Sequence, residues 1–361
     1  GIKFSLTTIM RASKCAIRCV PALSSSNPST VSFSSKPSIP LFLKPAKYSA
    51  TLEDIQKWHS WATDMASSVG LSFVQMDNGP DAVLLKRELK WLLEDSLEKT
   101  LLPSQLPAVN EKVSQEVLLR VPLDNLYELW RERIVKRRPL QYLVGCEHWR
   151  DLVLGVQEGV LIPRPETELI IDLVEEAIAS KGLGDGCWAD LGTGSGAIAI
   201  GIARVLGSSG RVIATDLSSQ AVHVASYNVQ RYGLQEKIEI REGSWYEPLK
   251  DLEGKLVGIV SNPPYIPSDD IPSLQAEVGR HEPKLALDGG CSGVDSLQHL
   301  VDGAASMLKP GGFFAFETNG EKQCDYLTHC LENDRQGTFS CVKIVPDFSG
   351  IRRFITGFKS N

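Results

Sequence analysis

Cys187-Trp188-Ala189-Asp190-Leu191-Gly192-Thr193-Gly194-Ser195-Gly196-Ala197-Ile198-Ala199-Ile200 is the stretch on which the fold turns. Cys187 to Leu191 is a short apolar run ending near an acid, which reads as a buried strand, and Ala197 to Leu206 reads as a helix. The glycines between them let the backbone turn sharply and approach a ligand closely. Strand, glycine loop and helix in that order form the opening unit of an open α/β sheet, with the loop at the carboxyl end of the strand where such sheets bind ligands.

The rhythm continues downstream: strands at Arg211–Thr215, Ile238–Arg241 and Leu256–Val260, and helices at Ser219–Tyr232 and Asp295–Leu308. A further strand is expected over Phe313–Thr318. The last two, Cys341–Val345 and Ile351–Phe358, are separated by a turn too short for a parallel crossover, so they form an antiparallel hairpin. Alternation of this kind predicts a doubly wound, mostly parallel α/β sheet, and the terminal hairpin is a feature of methyltransferase sheets rather than dehydrogenase ones.

The glycine loop alone leaves the ligand open. With Ala197 it satisfies G-x-G-x-x-A, the dinucleotide fingerprint, and Asp216, 24 residues beyond Gly192, is placed to hold ribose hydroxyls of either a dinucleotide or S-adenosylmethionine. Three features favour S-adenosylmethionine. Asp190 sits just before the glycines, where a carboxylate orders the loop or faces a cationic ligand and where a pyrophosphate has no use for it. Trp245, after the third strand, is either an aromatic cover for the adenine or a core residue. The third feature is Asn262-Pro263-Pro264-Tyr265 after strand four.

Asn262 and Pro263 each precede a proline and are pushed out of the α region, so this segment is stiff and rich in acceptors. An amide or ring-amino nitrogen has a delocalised lone pair and attacks poorly. The Asn262 side-chain oxygen and the Pro263 carbonyl can each accept one N–H, leaving the lone pair aimed at a methyl donor, while Tyr265 stacks on the planar group. As a bare turn the tetrapeptide would be ordinary; at this edge of this sheet it reads as the catalytic and substrate-binding segment.

Residues 1–50 hold seven of the 38 basic residues and none of the 44 acidic ones, and are rich in Ser and Pro. That composition predicts a disordered transit peptide, towards a chloroplast or alternatively a mitochondrion. The remaining 31 basic and 44 acidic residues carry a net charge of −13, poorly suited to gripping a nucleic-acid backbone. No run reaches the eighteen apolar residues of a membrane span. The eight cysteines and six histidines show no metal-ligand or disulfide spacing, so no metal is expected.

From 51 to 145 the periodicity is helical. Thr51 caps a segment with Ile55, Trp58, Ala62 and Met65 on one stripe; Val83, Leu85, Leu89, Leu92, Leu93 and Leu97 form a second; Asp124 caps a third running to Arg138. The cationic group Arg131, Arg133, Lys136, Arg137 and Arg138 reads as a solvated helix end or a docking surface for an acidic partner. Residues 146–163 alternate like a β-hairpin linker, and 164–361 form the α/β domain. Arg164, Glu166 and Glu168 have the look of helix-start chemistry, with the arginine pairing one of the acids.

Together, Arg138-Pro139-Leu140-Gln141-Tyr142-Leu143-Val144-Gly145, Leu161-Ile162-Pro163-Arg164-Pro165-Glu166-Thr167-Glu168, the glycine loop, Asn262 to Tyr265, and Glu282-Pro283 with Ala286-Leu287 resemble the PrmC/HemK family of release-factor glutamine methyltransferases. The resemblance spans roughly Arg137 to the C-terminus, and the segment 51–136 shares with the family only its helicity. It implies a helical substrate-recognition domain, a hairpin linker and a class I, Rossmann-like S-adenosylmethionine methyltransferase domain. By the same resemblance Gly192, Thr193, Gly194, Ser195, Gly196, Asp216 and Trp245 serve the cofactor, and Asn262 to Tyr265 the glutamine amide of a Gly-Gly-Gln motif in an organellar peptide-chain release factor; Asp190 and Asn262 are expected at the cofactor as well. A DNA or RNA adenine-N6 methyltransferase would use nearly the same pocket, and an inactive translation-factor binding module the same fold.

Overall fold

A computed structural model describes residues 38–99, 103–108 and 114–361. Most of the segment read as a transit peptide lies outside the described residues. Its last part does not: Leu41 is buried in the helical core, and β1 (Tyr48–Thr51) pairs antiparallel with β2 (Glu116–Leu119). The helical unit therefore begins before Thr51; a four-residue strand whose partners lie 65 to 71 residues away leaves no periodic signal of its own.

Thr51 caps α1 (Leu52–Asp77) as expected, its hydroxyl accepting from the Asp54 amide at 3.1 Å, and Asp81 caps α2 (Ala82–Ser96) at 2.7 Å. Leu85, Leu89, Leu92 and Leu93 are buried, whereas Val83 is 66% exposed and does not belong to the stripe. The third helix differs from the expectation. Pro122 rather than Asp124 precedes α3 (Leu123–Val135), and the chain breaks before Pro139, which disfavours helix at its predecessor, to restart as α4 (Leu140–Val144).

The linker hairpin, β3 (Cys146–Trp149) and β4 (Leu152–Gly155), has two apolar faces. Alternation sends Cys146 and Val153 into the helical core, and Trp149, Leu152 and Leu154 into the core of the sheet domain. Its glycine Gly155 lies against Asn228, whose side chain bonds both backbone groups of that residue.

Beyond it run α5 (Leu169–Lys181), β5 (Cys187–Leu191), α6 (Ala197–Val205), β6 (Arg211–Asp216), α7 (Ser219–Arg231), β7 (Ile238–Glu242), β8 (Leu256–Ser261), α8 (Ala276–Gly279), α9 (Asp295–Met307), β9 (Leu308–Glu317), α10 (Glu321–His329), β10 (Phe339–Pro346) and β11 (Arg352–Lys359). Seven strands form one sheet in the order β10-β11-β9-β8-β5-β6-β7. β7 to β9 are parallel, and β11 and β10 are antiparallel, which is the class I methyltransferase arrangement. Trp188, Ile200 and Val212 on one face and Ile213, Ile259 and Phe314 on the other lie in separate buried clusters, so helices cover both sides.

The cationic group divides. Arg131 and Lys136 are exposed, but Arg133 is 0% exposed, with its Nε 2.5 Å from Glu88 and its Nη1 2.9 Å from Glu277. Arg137 is buried against the same Glu277 at 2.6 Å, and reaches Asp77 at 3.0 Å. Neither a solvated helix end nor an external docking surface describes these two. They join the helical unit to α8, shortly after the Asn-Pro-Pro-Tyr segment. Sequence alone could not show this, because Glu277 lies 140 residues from Arg137.

Removing one member of such a group strands buried charge, which costs about 3–5 kcal/mol. Glu277→Ala leaves two arginines without their shared acceptor. It should lower the free energy of unfolding, measured in urea, by an amount in that range, whereas Lys136→Ala, an exposed pair, should change it by under about 1 kcal/mol.

Candidate active site

β5 and β8 are adjacent and in register, with Leu191 opposite Ser261, and the Ser261 hydroxyl donates to the Leu191 carbonyl at 2.6 Å. The glycine loop and the Asn-Pro-Pro-Tyr segment therefore leave the sheet side by side. Between them opens a cavity of about 280 Å³ lined by Gly192, Thr193, Gly194, Ser195, Asp216, Trp245, Thr167, Asn262 and Pro264 among others. Most residues singled out from sequence are thus brought to one place.

Gly196, Pro263 and Tyr265 lie outside its lining, and so does Asp190. Asp190 is 0% exposed beneath the loop. Its Oδ2 accepts from the Thr193 hydroxyl at 2.7 Å and the Ala199 amide at 3.0 Å, while its Oδ1 has no protein partner. Its role here is to order the loop. Burial raises its pKa to about 7, the two hydrogen bonds only partly opposing this.

Asp216 braces the loop from the other side. Its Oδ2 accepts from the Gly194 amide at 2.8 Å and its Oδ1 from the Ser218 amide at 2.9 Å. Gly194 has φ +56 with open space where a Cβ would stand, whereas a Cβ added at Gly196 (φ +83) would stand 3.3 Å from Ala225, so a side chain there would press on α7. The Ser195 carbonyl accepts from Asn228 at 2.8 Å, tying the loop to the same asparagine that holds the hairpin. Trp245 sits at φ +45, an uncommon conformation for a bulky residue. Its ring lies over Gly192 and lines the cavity while packing on the core.

At the opposite wall, the Asn262 side-chain NH₂ donates to Thr167 Oγ1 at 3.1 Å, and among the described residues nothing donates to its Oδ1. Pro264 lines the large cavity. Pro263 and Tyr265 are buried and border a much smaller depression shared with Asn262, Leu161 and Arg164. The Tyr265 hydroxyl donates to Glu317 at 3.1 Å, and burial holds its pKa above the ordinary phenol value, so it anchors the segment and is no base. Its ring does not face the large cavity, where stacking on a bound planar group would be needed.

Sequence reasoning missed several supports. Arg164 pairs with Glu282 at 2.5 Å rather than with Glu166 or Glu168, and Glu282 also accepts from the Ile162 amide, fixing the wall at 160–164. The Tyr142 hydroxyl holds the Val160 carbonyl at 2.7 Å. Thr167 and Glu317 form the anchor of Asn262 and Tyr265. Tyr142, Arg164, Thr167 and Glu282 lay within the stretches that carry the family resemblance, whereas nothing in the sequence signalled Glu317.

A family profile described as "Methyltransferase small domain" matches residues 167–276. The release factor glutamine methyltransferase of Synechocystis sp. is 37% identical over 307 residues, 84% of this chain and 96% of the relative. That of Thermosynechococcus vestitus is 38% identical over 306 residues, 84% and 97% of the two chains. The chain belongs to the release factor glutamine methyltransferase family. A relative from Gloeobacter violaceus is 41% identical over 235 residues, 65% of this chain and 79% of its own. The longer matches exceed the 225 residues between Arg137 and Asn361, so the likeness to the family enters the helical unit as well.

Its cofactor is S-adenosylmethionine, and the residues fit it. The buried, partly unpaired Asp190 beneath the loop suits a cation above it and not a pyrophosphate, while Asp216 and the Trp245 ring line the cavity.

Because the folded state raises the pKa of Asp190 from about 3.8 to about 7, its contribution to stability is fully present below the lower value and is lost as pH rises through the higher. Asp190→Asn in the cofactor-free protein should therefore gain stability relative to wild type between pH 5 and pH 8, read by urea unfolding at both. An identical difference at the two values contradicts the assignment.

Proposed function

We propose that the protein transfers the methyl group of S-adenosylmethionine to the side-chain amide nitrogen of the glutamine in the Gly-Gly-Gln motif of a peptide-chain release factor. The observation that carries this is Asn262, at the wall of the cofactor cavity, with its NH₂ held by Thr167 and its oxygen left without a protein donor. When bound, the cofactor supplies an electrophilic methyl group on a positively charged sulfur. Asn262 Oδ1 and the Pro263 carbonyl each accept one N–H of the glutamine amide, which holds the nitrogen in place and leaves its lone pair directed at the donor. No strong base is required before transfer. Positioning supplies most of the acceleration, and it can contribute roughly 7–11 kcal/mol.

The relatives' names, release factor glutamine methyltransferase, support a release factor as the substrate. Adenine in DNA or RNA is the competing substrate for an Asn-Pro-Pro-Tyr site, and the net charge of −13 over residues 51–361 disfavours it. The acid-free, basic segment 1–37, which precedes the residues built into the helical unit, supports import into an organelle, with the plastid preferred for its serine content and an organellar release factor as the substrate. A fusion of that segment to a fluorescent protein should concentrate in plastids; diffuse cytoplasmic signal contradicts the address.

The decisive assay incubates the protein with labelled S-adenosylmethionine and either a release factor or adenine-rich DNA, followed by mass spectrometry of the Gly-Gly-Gln peptide. A gain of one methyl group on the glutamine, absent from a glutamine-substituted control, is expected; label in DNA alone contradicts the proposal. Asn262→Ala should lower kcat by about 100-fold or more, as when one preorganised polar partner is removed, while largely sparing cofactor affinity. Asp216→Ala should instead weaken cofactor binding.

A further inference from the structure

The transfer proposed above needs Asn262 to present its oxygen, not its NH₂, to the substrate nitrogen, and an isolated asparagine side chain offers either with equal ease. Buried groups behind it decide. Glu317, at the end of β9, is 1% exposed. Its Oε2 accepts from Thr167 Oγ1 at 2.7 Å and its Oε1 from Tyr265 Oη at 3.1 Å. A hydroxyl has a single proton. With that proton directed to Glu317, Thr167 Oγ1 can only accept, and what lies 3.1 Å from it is Asn262 Nδ2. The amide oxygen is thereby turned away from Thr167.

We infer that Glu317 and Thr167 are positioning residues that fix the rotamer of the Asn262 amide with its oxygen towards the substrate nitrogen. The inference rests on the reading of Asn262 as the substrate's acceptor. It also explains why Tyr265 is where it is: its hydroxyl supplies the second donor to Glu317 and so keeps both carboxylate oxygens acting as acceptors.

The ionisation of Glu317 matters to this chain. Burial raises its pKa to about 7, opposed by the bonds from Thr167 and Tyr265 and by Arg353 on β11, and reinforced by Glu166 at the start of the α5 segment. Arg353 is itself paired with Asp347 at 2.7 Å, and Arg164, near Tyr265, is paired with Glu282. Above that value Glu317 accepts from both hydroxyls. Protonated, it must donate to one of them; where that is Thr167, the threonine proton is released to point at Asn262 and to favour the opposite flip. Turnover should therefore fall as pH drops through about 7.

The test measures methyl transfer to a Gly-Gly-Gln release-factor peptide by wild type, Thr167→Val, Thr167→Ser and Glu317→Gln, with cofactor Kd measured in parallel. Absence of transfer by wild type sinks the functional reading and with it the premise; the variants address the positioning roles separately. Thr167→Val should lower kcat about tenfold, the rate equivalent of one hydrogen bond, with peptide KM and cofactor Kd changed by under about threefold. Thr167→Ser should recover most of that loss, and Glu317→Gln should lose the acid limb of the wild-type kcat profile. Wild-type kcat in Thr167→Val, a Thr167→Ser as slow as Thr167→Val, or an acid limb unchanged in Glu317→Gln overturns the inference.

Discussion

Everything at the site depends on the register of two neighbouring parallel strands. β5 ends at Leu191 and β8 at Ser261; these residues are paired across the sheet and joined again by the Ser261 hydroxyl on the Leu191 carbonyl. In a parallel sheet the carboxyl ends of adjacent strands lie on one edge. The pairing therefore sets a loop that can hold a cofactor beside a segment that can hold a nitrogen. A slip of one residue would turn every side chain of one strand to the other face.

The walls around that edge are each held by one buried polar residue rather than by apolar packing alone. Asn228 ties the glycine loop to the hairpin through three hydrogen bonds, Glu282 ties the linker wall to the region after Tyr265 through Arg164, and Glu277 ties α8 to the helical unit through Arg133 and Arg137. Buried charges of this kind contribute little net stability but tolerate few alternative arrangements. Their distribution fits a molecule in which the helical unit must hold a fixed position relative to the site.

The alternation of strands and helices, the antiparallel terminal hairpin and the cofactor loop were legible because their signals are local: alternation, a short turn, glycine spacing, and an acid at a fixed distance. Asn262 was legible as well, because two prolines restrict its backbone wherever it stands. What escaped is non-local or unsignalled. Glu317 looks like the end of an ordinary strand, Thr167 like a helix-start residue, and Arg133 like one charge among five, until their partners 150, 150 and 144 residues away are known. The stacking role read into Tyr265 failed to appear for the same reason: sequence places the ring near the site but not its hydroxyl on Glu317. The four-residue β1 and β2 were too short for any pattern.

The central claim is that Asn262 meets the substrate nitrogen with an oxygen. The most direct measurement is a high-resolution crystal structure of the protein with S-adenosylhomocysteine and a Gly-Gly-Gln peptide, refined so that hydrogen-bond partners fix the amide orientation. The account expects the glutamine side-chain nitrogen within about 3.2 Å of both Asn262 Oδ1 and the Pro263 carbonyl, with Asn262 Nδ2 still on Thr167. A glutamine nitrogen held elsewhere, or an Asn262 that turns its NH₂ to the substrate, would contradict it.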